Sequence, residues 1–206
     1  MGKILRIGAD PFPPYQYIDE NGEIYGSDYE VIKKTIDKMG YKAEFIIDDW
    51  SIIEKMFNEK ILDIVFQVQK TPEREKKWYF SKKLRDAVTS IITSLDITKY
   101  KNVKNINELL KGDKKLGVLE NYQYGEIIDS IDDNKKVYYS TFEELLEHVN
   151  NRDVGFGVAD LGVLKYINKN NIYDNIKTIN NLNFNRPLYV AFNDKSLRDE
   201  FNNFLK

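Results

Sequence analysis

Short apolar runs of strand period alternate with segments of helical period along most of this chain, and that alternation restricts the fold to a mostly parallel sheet flanked by helices. The first run, 3–9, carries Ile4, Leu5 and Ile7 and meets Asp10-Pro11-Phe12-Pro13-Pro14-Tyr15. Three prolines exclude helix and central strand there, so a rigid loop is expected at the strand end. After a turn at Asn21-Gly22, Tyr29, Ile32, Ile36 and Met39 recur at helical spacing, with Gly40 as the stop. A strand is expected over 42–47, and Ser51 and Glu54 stand at capping-box spacing before Ile52, Ile53, Met56 and Phe57. A strand over 62–68 follows, and then Thr71-Pro72, a cap residue before proline at the first helical position.

A β-rich stretch over 87–95 ends this pattern, after which the alternation restarts. Asn105 is placed to cap a helix through Leu110, a strand is expected over 115–119, a helix over 122–131 and a strand over 136–139. Thr141 and Glu144 form a second capping box. A strand over 154–158 precedes Asp160, which stands where a cap belongs before a helix over 161–168. A late strand over 187–192 and a helix over 196–205 close the chain. Two α/β units joined near 87–95 fit this order better than one continuous sheet. The asparagine- and lysine-rich tract over 168–185 reads as surface connection.

Composition narrows the chemistry. Among 206 residues there is no cysteine and one histidine, His148. Thiol nucleophiles, disulfides, Cys-based zinc sites and His-based triads therefore lack material, and neither a metal nor a cofactor is expected. Lys+Arg 31 against Asp+Glu 33 gives a net charge of -2, with no global basic field for nucleic acid. The lysine pairs at 76–77, 82–83, 114–115 and 135–136 are separated by acids and read as solvated faces. His148 lies on a helical pattern and reads as a surface or half-buried residue. No run approaches the ~18 apolar residues of a membrane span, and the N-terminus lacks the apolar region of a signal peptide. The expectation is either a cytoplasmic protein or one trimmed to its soluble part.

The residues of unusual chemistry fall at strand ends and helix starts, where open α/β sheets place ligands. Asp10 and Tyr15 follow the first strand, Trp50 the second, Gln67 to Arg74 the third, Glu120 to Gln123 the first strand of the second unit, and Asp160 a later one. They could face a common cleft between the two units.

Taken in order, these segments resemble the family 3 bacterial extracellular solute-binding proteins. The residues that carry the resemblance are Ile7-Gly8-Ala9-Asp10 with Pro13-Pro14-Tyr15-Gln16-Tyr17, Gly26-Ser27-Asp28-Tyr29-Glu30-Val31, Leu62-Asp63-Ile64, and, most specifically, Thr71-Pro72-Glu73-Arg74 followed by Phe80-Ser81. Leu116-Gly117-Val118-Leu119 and the run from Val154 to Asp160, continuing through Tyr166, extend it over nearly the whole chain. The resemblance implies a two-lobed, type II periplasmic-binding-protein-like Venus flytrap with interleaved lobes and two chain crossings. Lobe 1 is expected over 1–90 plus 186–206 and lobe 2 over 91–185.

Two departures from transporter-type members matter. The loop Phe66-Gln67-Val68-Gln69-Lys70 replaces their glycine or small hydroxyl residues, and Glu120-Asn121-Tyr122-Gln123-Tyr124 replaces a Gly-Ser/Thr pair. Both are similar to Venus-flytrap sensor domains of bacterial histidine kinases and diguanylate cyclases, and the end of the chain inside an expected helix points the same way. The resemblance therefore implies an extracytoplasmic sensor domain of a membrane signalling protein, binding an amino acid or related small carboxylate. The alternative is the substrate-binding protein of an amino-acid ABC transporter, with a permease as partner. An enzyme of dehydratase type is a remote third, since Asp10, Glu120 and Asp160 form no evident acid/base pair.

By the same resemblance, Arg74 holds the ligand carboxylate, a role suited to a planar guanidinium; otherwise it is a surface arginine. Asp160 takes the ligand amine, or serves only as a helix cap. Tyr15 and Trp50 set rings against the ligand, or pack ordinarily. Asp10 contacts a ligand side chain or caps the proline-rich turn. Gln67, Gln69, Tyr122 and Gln123 line the pocket, although Gln69 can equally point outward.

Overall fold

A computed structural model describes residues 4–120, 122–170 and 172–205. The readings placed on Met1-Gly2-Lys3, Asn121, Asn171 and Lys206 lie outside these described residues. By its internal contacts the chain divides into unit 1, Met1–Asp86 with Pro187–Lys206, and unit 2, Ala87–Arg186.

Unit 1 begins with β1 (Ile4–Ala9), a short hairpin of β2 (Tyr17–Ile18) and β3 (Ile24–Tyr25), α1 (Ser27–Lys38), β4 (Lys42–Ile47), α2 (Trp50–Asn58), β5 (Ile64–Gln69), α3 (Pro72–Glu75) and β6 (Tyr79–Phe80). β1 is central and parallel to both β4 and β5, as helical crossovers require. Leu5, Ile7, Ile32, Ile36 and Phe66 are fully buried in one apolar cluster, and Ile53, Phe57, Leu62 and Val65 in another. β7 (Arg85–Thr93) then carries the chain across the Asp86/Ala87 boundary.

Unit 2 continues with α4 (Ile106–Leu109), β8 (Leu116–Leu119), α5 (Glu126–Asp129), β9 (Lys136–Tyr139), α6 (Phe142–Asn151), β10 (Phe156–Asp160), α7 (Leu161–Ile167) and β11 (Lys177–Thr178). β8 lies between β9 and β10, parallel to both, and β10 runs antiparallel to β7. The chain returns through β12 (Phe184–Phe192), which crosses the Arg186/Pro187 boundary and pairs antiparallel with β5, and ends in α8 (Lys195–Phe204).

Three expectations change. The helix expected over 122–131 contracts to α5, because Gly125 adopts a φ of 94° and the amides of Tyr124 and Gly125 donate to the Asp129 carboxylate instead of entering a helix. The Ser51/Glu54 box does not form: α2 starts at Trp50 with Asp49 at its N-cap position, two residues before Ser51, and Glu54 turns to Arg74. The strand expected over 154–158 runs over Phe156–Asp160, so Asp160 is both a strand end and a cap. The Thr71, Asn105 and Thr141 caps do form, each accepting the amide three residues on.

The proline-rich loop is fastened to the start of α1. The Tyr15 carbonyl accepts from the amides of Asp28 (2.9 Å) and Tyr29 (3.2 Å), and the Pro14 carbonyl accepts from Ser27 (3.2 Å). These are among the amides that a helix N-terminus leaves without intrahelical partners. Such close approach needs Gly26, whose φ is 129° and where a Cβ would lie 2.2 Å from the Tyr15 oxygen. From the other side Arg85 reaches Asp28, its Nε donating to Oδ1 (3.0 Å) and Oδ2 (2.8 Å), while its guanidinium lies 3.5 Å from the Tyr15 ring centroid.

Two variants test this fastening. Gly26→Ala should lower the unfolding free energy by at least about 2 kcal/mol in denaturant titration, through backbone collision and strain; a loss below about 1 kcal/mol would mean that the turn relaxes freely. Asp28→Ala leaves the Arg85 charge uncompensated in a largely buried site and should cost about 3–5 kcal/mol. A double variant with Arg85→Met should recover part of that loss if the charge is its cause.

Candidate functional site

In unit 1 the Thr71-Pro72-Glu73-Arg74 turn positions its arginine through local geometry. Thr71 caps α3, its Oγ1 accepting from the Arg74 amide (3.3 Å), and Pro72 occupies a first-turn position that needs no N–H. The Arg74 side chain, 15% exposed, then folds back. Its Nη1 donates to the Gln69 carbonyl (3.2 Å), its Nη2 to Glu54 Oε1 (3.2 Å), and its guanidinium lies 5.1 Å and 5.2 Å from the Trp50 and Trp78 ring centroids. Guanidinium carries five N–H donors, so two bonds leave further donors to receive a planar anion. Trp78 is itself fixed by Nε1 donating to Asn58 Oδ1 (3.1 Å) and by an edge contact with Phe57. Arg74, Trp50 and the Gln69 main chain thus form one cluster, completed by Glu54 and Trp78.

Asp10 and Gln67 form a second cluster in the same unit, joined by Gln16. This glutamine is fully buried; its Nε2 donates to the Asp10 carbonyl (3.0 Å) and to Gln67 Oε1. Gln67 has a φ of 62°, the left-handed region, beside the irregularity where the pairing of β5 with β12 shifts between Tyr189 and Ala191. The extra residue of a bulge re-aims its side chain, so simple alternation no longer decides where Gln67 points. Tyr15 is half-buried, stacked on Phe12 with centroids 5.9 Å apart. The Gln69 side chain is half-buried, and its established contact is through its carbonyl.

In unit 2, Asp160 is buried and caps α7, Oδ1 accepting from the amides of Gly162 (2.9 Å) and Val163 (3.2 Å). Its register partner on β7 is Thr89. Gln123 contributes its main chain: the side chain is exposed, and its carbonyl accepts from Arg186 Nη1 (3.1 Å). Tyr122 is half-buried and tilts against Tyr124 at 5.8 Å. Tyr124 is buried, its hydroxyl accepting from the Leu119 amide (2.9 Å), and burial pushes its phenol far above the usual tyrosine range, so it stays neutral. His148 lies at the surface, paired with Asp153 at 3.1 Å and stacked on Tyr139.

Sequence reasoning missed Gln16, Glu54, Trp78, Arg85, Thr89 and Arg186 as neighbours of these residues. Gln16 carried a signal, since it stands inside the Pro-Pro-Tyr-Gln-Tyr motif. Trp78 follows Arg74 by four residues, its amide donating to the Arg74 carbonyl (2.8 Å), whereas the others are brought near by strand pairing or by helix packing. Among the described residues no cluster of His, Cys, Asp and Glu could hold a metal ion, and no helix is long and apolar enough to cross a membrane.

Comparison with known proteins gives this arrangement a family. Residues 5–206 match the bacterial extracellular solute-binding proteins, family 3. The chain is 35% identical over 81 residues to a probable amino-acid ABC transporter-binding protein of Haemophilus influenzae, covering 38% of this chain and 32% of that protein. It is 29% identical over 159 residues to the probable amino-acid-binding protein YxeM of Bacillus subtilis, covering 76% and 57%. The matches therefore span less than two thirds of these relatives' lengths. Among solved structures, an ancestral arginine-binding protein bound to arginine superposes with a TM-score of 0.80 at 24% identity, covering 98% of this chain and 90% of that one. The fold is accordingly that of the two-lobed type II Venus-flytrap proteins, and these relatives are named as binding proteins. With its strand-end clusters and its capped Thr-Pro-Glu-Arg turn, this chain belongs to the bacterial extracellular solute-binding proteins, family 3.

Proposed function

We propose that this chain is the extracytoplasmic receptor for an amino acid or closely related small carboxylate, handing its ligand to an ABC permease. The observation that carries the reading is the seating of Arg74: a guanidinium oriented by a main-chain carbonyl and a carboxylate, set against two indole rings, with donors to spare. Such a group meets a ligand carboxylate with parallel charge-assisted bonds. Asp160 supplies the opposite charge for the ligand ammonium while its Oδ1 caps α7. Tyr15 and Trp50 offer ring faces, Asp10 and Gln67 are tied into one network by Gln16, and Gln69, Tyr122 and Gln123 contribute the rest of the lining.

The choice of transport over sensing rests on the relatives, which are named as transporter-binding or amino-acid-binding proteins. The sensor reading rested on the replaced loops over 66–70 and 120–124, and the same binding step would serve it. A ligand that binds one conformation more tightly shifts the population toward it, whichever partner reads the change.

A thermal-shift screen over amino acids and small organic acids tests the reading. A ligand at about 100 times its dissociation constant should add about 2.7 kcal/mol of stability; stabilisation by none of them would overturn it. Arg74→Ala should weaken carboxylate binding by about 2–5 kcal/mol in calorimetry, and unchanged affinity would remove the carboxylate role. Asp160→Asn should penalise amine-bearing ligands more than plain carboxylates, whereas equal losses would leave Asp160 a helix cap alone.

A further inference from the structure

The six arginines of this chain do not have equivalent surroundings. Arg6 pairs with Glu44, Arg74 with Glu54, Arg85 with Asp28 and Arg198 with Asp199. Arg152 is exposed and solvated. Arg186 is 7% exposed, and among the described residues no carboxylate forms an ion pair with it. Its bonds go to neutral acceptors, Nε to Thr89 Oγ1 (3.0 Å) and Nη1 to the Gln123 carbonyl (3.1 Å), and its guanidinium lies 5.8 Å from the Tyr124 ring centroid. Tyr124 remains neutral, so it does not balance the charge.

Guanidinium cannot shed its proton to escape burial, and a buried charge without a counter-charge is costly. The two bonds fix the orientation of the fork while leaving N–H groups that match a carboxylate. Thr89, which holds Nε, is the direct register partner of Asp160, and directly opposed residues of an antiparallel pair share a face. Unit 2 thus places an acid and an unbalanced guanidinium around one threonine.

We propose that Arg186 is an anion-binding and specificity-determining residue of unit 2, receiving an acidic group of the ligand, so that the ligand class is acidic: an acidic amino acid or a small dicarboxylate. This rests on the reading of the chain as a small-carboxylate receptor. Arg74 already has the Glu54 charge beside it; Arg186 is the arginine whose counter-charge is left for the ligand to bring. Gln123 contributes through its carbonyl.

Calorimetry with glutamate, glutamine, arginine and succinate, on the whole chain and on Arg186→Met, tests this. The unsubstituted chain should bind glutamate or succinate at least about ten-fold more tightly than glutamine or arginine. Arg186→Met should erase that preference, and without ligand it should melt no lower than the parent, because an unbalanced charge has been removed. Should Arg186→Met fail to fold, Arg186→Lys replaces it: it keeps the charge without the fork, and should retain the acidic preference at reduced affinity. Preference for glutamine or arginine over the anions, or an acidic preference untouched by Arg186→Met, overturns the proposal while leaving amino-acid reception standing. Binding of succinate through Arg186 with no amino acid bound would support the proposal and sink amino-acid reception instead. Absence of binding by every anion overturns it.

Discussion

The Tyr15 carbonyl is the point on which unit 1 depends. It receives two amides from the first turn of α1, and those bonds fasten to the helix a proline-rich loop whose own backbone bonds link Phe12 to Tyr15 and Gln16. The approach is possible because Gly26 has no Cβ, and it brings Asp28 to Arg85 and Arg85 to the Tyr15 ring. A backbone contact thereby orders an aromatic ring, and through Gln16 the same loop is joined to the left-handed residue Gln67 on β5. A loop held by helix-terminal amides keeps its partly exposed side chains in place.

Electrostatics distinguishes the two units by the company their arginines keep. Arg74 is balanced by Glu54 and screened by two indoles, a seat that orients the fork before any ligand arrives. Arg186 is oriented equally well, by Thr89 and Gln123, but without a carboxylate. Pre-orientation lowers the entropy lost when a ligand binds. A balanced and an unbalanced guanidinium therefore make different demands on it.

Much of the fold was legible in the sequence because its signals are local. Period-two and helical apolar patterns, the Thr71-Pro72 start, and the Asn105 and Thr141 caps act within three or four residues, and the strands and helices that they announce are present. The errors have local causes too. Gly125 and Asp129 divert amides from the helix expected over 122–131, and Glu54 abandons its capping box because Arg74, twenty residues away, offers a charge.

Within the candidate site, the sequence by itself determined the identities and order of the motif residues: Asp10, Tyr15, Trp50, Gln67, Gln69, Arg74, Tyr122, Gln123 and Asp160, each at a strand end or helix start. It also set the limits on chemistry imposed by a chain without cysteine and with one histidine. Only the tertiary structure decided which charges are balanced. Asp28 meets Arg85 across fifty-seven positions, and Arg186 meets Thr89 across ninety-seven. Such pairings depend on strand register and helix docking, which bring distant residues into contact without leaving a periodic trace, and burial then sets the energetic consequence of a charge that has no partner.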